Sequence, residues 1–253
     1  MPLRGVTVDL WNTLVGASGN IHRQEERLRC IRTFCSHLGT EYPEAVLRRA
    51  LQATWRYYYV LWRGQQRTPT SKELTAFLFR YLGISVEPTH IYQLAQKLEE
   101  NVLEYPPPLL PFVRETLQGL AERYRLGLIS DTAFSPGWVL RELLRRYDLA
   151  DFFTAYSFSD ETGVAKPHPR AYAAALEGLG VAPAEALHIG DLEATDVRGA
   201  KQLGMHAILF LGDPDSEFPP PPHTVADAVA YHWQEIPSLI GRLAGNSRED
   251  SPS

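Results

Sequence analysis

Cysteine is nearly absent: Cys30 and Cys35 are the only two in 253 residues. On a predicted helix their i,i+5 spacing points them to different faces. That excludes a local disulfide or a metal-binding pair and leaves two small buried or half-buried residues. Lysine is almost as scarce, at positions 72, 97, 166 and 201, so each one can be weighed singly. Positive charge is in deficit too, with a formal net charge of −5, which argues against a nucleic-acid-binding surface. No apolar run reaches the roughly 18 residues that span a bilayer. The opening MPLRGVTVD enters strand-like sequence without a signal-peptide core, so a cytoplasmic location is expected. There is no P-loop and no internal repeat. The stretch GLGVAP (178–183) lacks the third glycine and the strand–turn–helix context of a dinucleotide site and reads as a helix stop. Nothing in the sequence indicates an oligomeric state.

What is present changes rhythm along the chain. Residues 4–9 read as a short buried strand and 16–20 (GASGN) as a loop. Residues 20–104 then look helical throughout, in segments near 21–38, 43–63, 71–82 and 89–104. Gly39 and Gly83 stand where helices stop, and Pro43 and Pro88 near the next starts. Thr70 and Glu73 have the spacing of a capping box. The proline-rich EYPPPLLP (104–111) is a stiff break. Beyond it, helices near 112–123, 136–147, 169–179 and 194–203 alternate with strands at 125–130, 153–158, 186–190 and 206–211. After a loop at 212–223 come a strand near 225–230 and a helix near 236–244. This order predicts an α/β fold, a doubly wound parallel sheet of Rossmann-like type. The first strand belongs to that sheet. The expected division is a core of residues 1–15 and 107–253, an inserted helical cap of residues 16–106, and a disordered tail at 245–253.

In open parallel sheets, ligands bind at the carboxyl ends of the strands. The predicted strands end at Asp9, at Ser130-Asp131 and at Gly190-Asp191, with Asp196 in the next helix and Lys166 in a loop, GVAKPHP. Four carboxylates, a hydroxyl and an ammonium are therefore expected on one rim. Carboxylates this close need a cation to stay ionised, and hard oxygen ligands suit Mg²⁺.

Asp9-x-x-x-Thr13-Leu14, Ser130-Asp131, Lys166-Pro-His-Pro and Gly190-Asp191-x4-Asp196 resemble, in order, the four motifs of the haloacid dehalogenase-like hydrolase superfamily. The insert after the first motif is similar to the helical cap of one branch. The resemblance implies Mg²⁺-dependent hydrolysis of a small phosphorylated compound through an aspartyl-phosphate. It makes Asp9 the nucleophile and a metal ligand, and Thr13 the residue that orders the loop behind it. Ser130, with the Asp131 N–H, would bind phosphoryl oxygens, and Lys166 would be the fixed cation. Asp191 would ligate the metal, supported from behind by Asp196.

One position departs from that pattern. Phosphatases of the superfamily usually carry a second aspartate two residues after the nucleophile, as general acid and base. Here it is Trp11, which can still offer a main-chain carbonyl to the metal. The next residue is commonly glycine in the family, and Asn12 tolerates the same positive φ. Three readings stay open. The first is a phosphate hydrolase with a good leaving group or an acid from elsewhere, His22 and His168 being candidates. The second is a dehalogenase, against which Asp191 and Asp196 count, or a phosphonate hydrolase, which would need Lys72 or Lys97 in the cap. The third is a protein without catalysis that binds a phosphorylated ligand or a partner.

Trp55, Tyr58, Tyr59 and Trp62 share one helix face. They serve either as cap packing or as an aromatic wall over the substrate that Trp11 could join. His188 reads as a satisfied core histidine. Asp160 and Glu161 read as solvated residues or supports for Lys166, and Glu193 as a weak ligand candidate.

Overall fold

The computed structural model of the protein describes residues 2–246. Among them, six strands form one parallel sheet in the order β3-β2-β1-β4-β5-β6. They are β1 (Gly5–Val8), β2 (Arg125–Ser130), β3 (Phe153–Phe158), β4 (Ala186–Gly190), β5 (His206–Phe210) and β6 (Ala228–Ala230). Both neighbours of β1 are parallel to it, Val6 pairing with Leu126 of β2 and Leu187 of β4. The chain order reverses between β1 and β4, which is the topological switch point of a doubly wound sheet.

Side chains alternate across the sheet, as the period of two requires. Ile208 and Phe210 of β5 face the cluster built with α5 (Val113–Ala121), α6 (Gly137–Arg146) and α10 (Ile236–Asn246). Ala207 and Leu209 face the opposite cluster, built with α8 (Pro169–Leu179), which follows the single-turn α7 (Ser159–Thr162), and with α9 (Arg198–Gln202). The sheet is thus covered on both faces.

Between β1 and α5 lie α1 (Asn20–His37), α2 (Glu44–Gln65), α3 (Ser71–Tyr81) and α4 (Pro88–Glu104), with an apolar cluster of their own. Gly39 and Gly83 have φ of 75° and 72° at the ends of α1 and α3, a conformation that favours glycine. The capping box forms: Thr70 Oγ1 accepts from the Glu73 N–H at 3.2 Å, and Glu73 accepts from the Thr70 N–H at 2.8 Å. The two connections to this helical insert run side by side. Gly16 N–H donates to the Pro108 carbonyl and Leu110 N–H to that of Leu14, both at 2.9 Å.

Two elements differ from expectation. The helix predicted over 194–203 is broken by a π-type turn at Glu193–Val197 before α9, and that turn carries Asp196. The strand predicted over 225–230 shrinks to Ala228–Ala230, because Glu193 accepts from the Thr224 hydroxyl (2.6 Å) and the Val225 N–H (3.2 Å) and draws that backbone out of the ladder. Of the tail expected to lack structure, residues 245 and 246 close α10, and the rest lies outside the described residues. Cys30 and Cys35 are free. Among the described residues no helix is long and apolar enough to cross a membrane.

Candidate active site

The carboxyl ends of β1, β2 and β4 open on a cavity of about 580 Å³ between the sheet and the helical insert. Asp9, Trp11, Asn12, Asp131, Lys166 and Asp191 all line it. The buried Lys166 ammonium is its electrostatic centre. It donates to Asp9 Oδ1, to Asp196 Oδ1 at 2.7 Å and to the Ile129 carbonyl at 3.3 Å, which uses all three of its protons. Burial alone would lower the lysine's pKa. Asp196, Asp9 and Asp131 outweigh it and hold the ammonium well above the usual lysine range.

The carboxylates divide by how well they are partnered. Asp196 Oδ1 takes Lys166 and His188 Nε2 (3.0 Å), and its Oδ2 takes the Leu192 N–H (3.0 Å) and the Thr195 hydroxyl (3.1 Å). Burial opposes its ionisation, yet Lys166 and His188 prevail and hold it well below the ordinary range. Gly190 makes this packing feasible, since a Cβ there would lie 2.4 Å from Asp196 Cγ. Asp9, 4% exposed, has only the lysine among described donors. Burial pushes it up to about 7 against the pull of Lys166, and Asp196 adds to the rise. Among the described residues, Asp191 accepts only from Asn12 Nδ2, at 3.1 Å. Burial, then Asp196 and Asp9, raise it well above the usual carboxylate range.

Such a donor set fits a divalent cation. Asp9 and Asp191 have unfilled lone pairs, and their ionisation is opposed by burial and by each other, a conflict that a cation relieves. Among the described residues no three His, Cys, Asp or Glu side chains converge closely enough to hold an ion unaided. Main-chain or water oxygens would have to complete the shell, as is usual for Mg²⁺.

Asn12 adopts φ 55°, as its sequence position suggested. Ser130 Oγ and Thr13 Oγ1 are buried without a hydrogen-bond partner among the described residues. Ser130 ends β2 but, unlike Asp131 beside it, is not among the residues that line the cavity; its unfilled hydroxyl lies behind that surface, where an oxyanion would satisfy it only by reaching past the lining. The Thr13 carbonyl accepts from Trp233 Nε1 at 2.7 Å, which fixes the turn after Asp9.

Asp131, given no side-chain role from sequence, joins the two layers. Its Oδ2 accepts from Trp62 Nε1 at 2.7 Å and its Oδ1 from the Lys166 N–H at 3.0 Å. Burial pushes it up to about 6 against these partners and the Lys166 charge. Trp55, Tyr58, Tyr59 and Trp62 do wall the cavity. Trp11 lines the same cavity but stands apart from them. It makes no ring contact with the four among the described residues and packs instead on Val102, Val139 and Leu143.

Other candidates lie elsewhere. His22 is exposed, edge-on to Tyr105, and His168 caps α8 by accepting from the Arg170 N–H. Neither lines the cavity, so neither supplies an acid. Lys72 and Lys97 sit over Tyr92 and Phe34, also away from it. Asp160 accepts from the Gly137 N–H and Glu161 pairs with Arg141, so both serve α6 rather than Lys166.

His188 is the core residue expected, but with a job the sequence did not announce. Its Nδ1 meets Thr7 Oγ1 at 2.9 Å while Nε2 reaches Asp196. Burial lowers its pKa, and the neutral ring protonated on Nε2 satisfies both contacts. The sequence reading also missed Arg23 and Arg27 of α1, which line the cavity. The available signal was their spacing: they occupy the stripe that Ile31 and Phe34 continue.

Residues 3–204 match the family described as haloacid dehalogenase-like hydrolase. A glyceraldehyde 3-phosphate phosphatase from Methanopyrus kandleri is 31% identical over 205 residues, 80% of this chain and 82% of that one. A protein of the same name from Pyrococcus furiosus is 33% identical over 141 residues, but the match spans 55% of this chain and only 58% of that protein's length. The fold superposes on a 2-haloacid dehalogenase from Pseudomonas syringae pv. Tomato DC3000 with a TM-score of 0.69, at 24% identity, over 95% of this chain and 99% of that one.

Proposed function

The chain belongs to the haloacid dehalogenase-like hydrolase family, and from that premise we propose that it is a phosphatase that transfers the phosphoryl group of a small metabolite to Asp9. One observation carries the reading: Lys166 holds Oδ1 of Asp9 while no described donor reaches its other oxygen. One oxygen is oriented and neutralised, the other left to react.

Asp9 attacks phosphorus and the ester P–O bond breaks, its electron pair leaving with the alcohol oxygen. Water then attacks the aspartyl-phosphate, releasing phosphate and restoring the carboxylate. Ser130 Oγ and Lys166 stabilise the transferring oxygens, and the Asp131 N–H assists. Asp191, Asp9 and the Trp11 carbonyl would hold Mg²⁺, with Asp196 behind them. The ion would supply charge neutralisation for the carboxylates and the phosphoryl oxygens. Residues 16–106 act as a cap that excludes water, which suits small substrates. The phosphatase names of the two relatives support the substrate class.

Trp11 favours a second reading, in which catalysis is weakened and the protein chiefly binds a phosphorylated ligand or a partner. Among the described residues, the other carboxyls that line the cavity are engaged: Glu25 pairs with Arg48 and Glu217 accepts from Asn20 Nδ2. Asp131 lines the cavity, but both its oxygens already accept N–H bonds. The hydrolase reading therefore expects a preference for good leaving groups. The test is a phosphate-ester screen with and without Mg²⁺ on wild type and Asp9→Asn. Turnover that chelation and Asp9→Asn both abolish supports the enzyme. Binding of phosphorylated ligands with no turnover of any ester would establish the second reading.

A further inference from the structure

Among the described residues, two cations in the cavity have no anion. Arg23 and Arg27 lie one turn apart on α1, each only 6% exposed, and neither pairs with a carboxylate. Arg23 donates to the main-chain carbonyls of Ser18 (3.1 Å) and Ala17 (3.4 Å). The Arg27 side chain has no hydrogen bond among the described residues, and its Nε is buried and unpartnered. Its guanidinium lies over Trp55 and Phe134, 5.7 and 5.5 Å from the ring centroids. Those rings fix the plane of the group and leave its hydrogen-bonding edge unfilled. Burial, with the neighbouring Arg23 charge adding to it, pushes the Arg27 pKa down to about 10, so the group is still a cation at neutral pH.

This arrangement opposes stability in two ways: like charges repel at i,i+4, and a buried charge without a counter-ion is unfavourable. It becomes favourable when an anion enters. The aromatic wall connects this end of the cavity to the other. Trp55 packs edge-on against Tyr58 (5.7 Å), Tyr58 stacks on Trp62 (5.9 Å), and Trp62 bonds Asp131, which holds the Lys166 backbone. A molecule lying along these rings can present one anion to each end.

We propose that Arg27, with Arg23 beside it, binds a second anionic group of the substrate, so that the site selects small phosphate monoesters bearing a carboxylate or a further phosphate. This deepens the phosphatase reading and rests on it for which end takes the transferred group. The planar guanidinium fork suits either oxyanion.

The test is calorimetric binding, with Mg²⁺ present, of inert phosphonates that need no turnover. The probes are phosphonoacetate and 3-phosphonopropionate, propane-1,3-bisphosphonate, and propylphosphonate as the single-anion control. Wild type should bind at least one two-anion probe about 10- to 100-fold more tightly than the control. Arg27→Met should erase that margin, lowering affinity for the two-anion probe far more than for propylphosphonate, and Arg27→Lys should retain part of it and serves if the methionine variant misfolds. A margin held by the carboxylates or by the bisphosphonate identifies the second anion. Equal affinity for all probes, no binding of any, or a margin that survives Arg27→Met overturns the proposal. A margin without hydrolysis of any ester would sink the phosphatase reading and leave this one standing; hydrolysis without a margin would do the reverse.

Discussion

Trp11→Asp restores a carboxyl where the missing proton donor would stand, and its two consequences separate cleanly. The indole is half-buried and packs on Val102, Val139 and Leu143. Deleting a fully buried tryptophan costs about 3–5 kcal/mol, so a half-buried one costs about 2 kcal/mol. In a chain of this size that lowers the melting temperature by roughly 4–8 °C, within the stability of an ordinary domain. The catalytic effect depends on the leaving group. A positioned acid is worth about 10²–10⁴ in rate, or about 3–5 kcal/mol of barrier, but only where the departing oxygen needs a proton. Steady-state rates on an aryl phosphate should therefore barely change, and those on alkyl phosphates should rise toward that limit. Trp11→Asn is the control: it has the same shape and the same packing loss but no proton. If the aspartate variant gains no more than the asparagine variant on alkyl esters, in folded proteins, the missing acid does not limit this enzyme and the reasoning fails.

Lys166→Met leaves Asp9 and Asp196 buried without their cation. Breaking such a pair from one side costs about 3–5 kcal/mol, so calorimetry should show a melting point lower by roughly 6–20 °C, together with loss of turnover. Asp227 tests a surface tie in the sheet: it accepts from Lys201 Nζ at 2.7 Å and from the Ala207 N–H at 2.8 Å. Burial tends to raise its pKa, but Lys201, the Ala207 N–H and His206 hold it below the ordinary value. Its contribution is thus present above the unfolded carboxyl pKa and lost as pH falls through the lower folded value. Asp227→Asn should cost about 1 kcal/mol near neutral pH, and the melting-point gap from wild type should close below about pH 4.

The alternation of strands and helices was legible because the strands are short and apolar and all but β5 lead into a helix, and the strand-end residues then located the rim. The π-type turn at Glu193–Val197 was not, because it answers to Asp196, whose four partners come from residues 166, 188, 192 and 195. No local pattern encodes such convergence. The two ties of Asp131 were hidden for the same reason, since Trp62 and Lys166 reach it across the layers. Arg23 and Arg27 were legible in principle, as charges at apolar-stripe positions, but periodicity is read from the residues that fit it and these two do not. Asn12 was readable because its demand is local, a positive φ in a tight turn.

The indole of Trp233 holds a carbonyl 220 residues earlier in the chain, and β1, the first strand synthesised, lies between two strands made much later. A growing polypeptide therefore carries Asp9 before it has the flanking strands that aim it. The four-helix insert, whose contacts are mostly local, is free to collapse first on the ribosome. A product clipped ahead of residue 233 would retain every carboxylate of the rim, yet lose both the clasp that shapes the turn behind Asp9 and the buried side chains of Ile236, Leu239 and Ile240 that pack one face of the sheet.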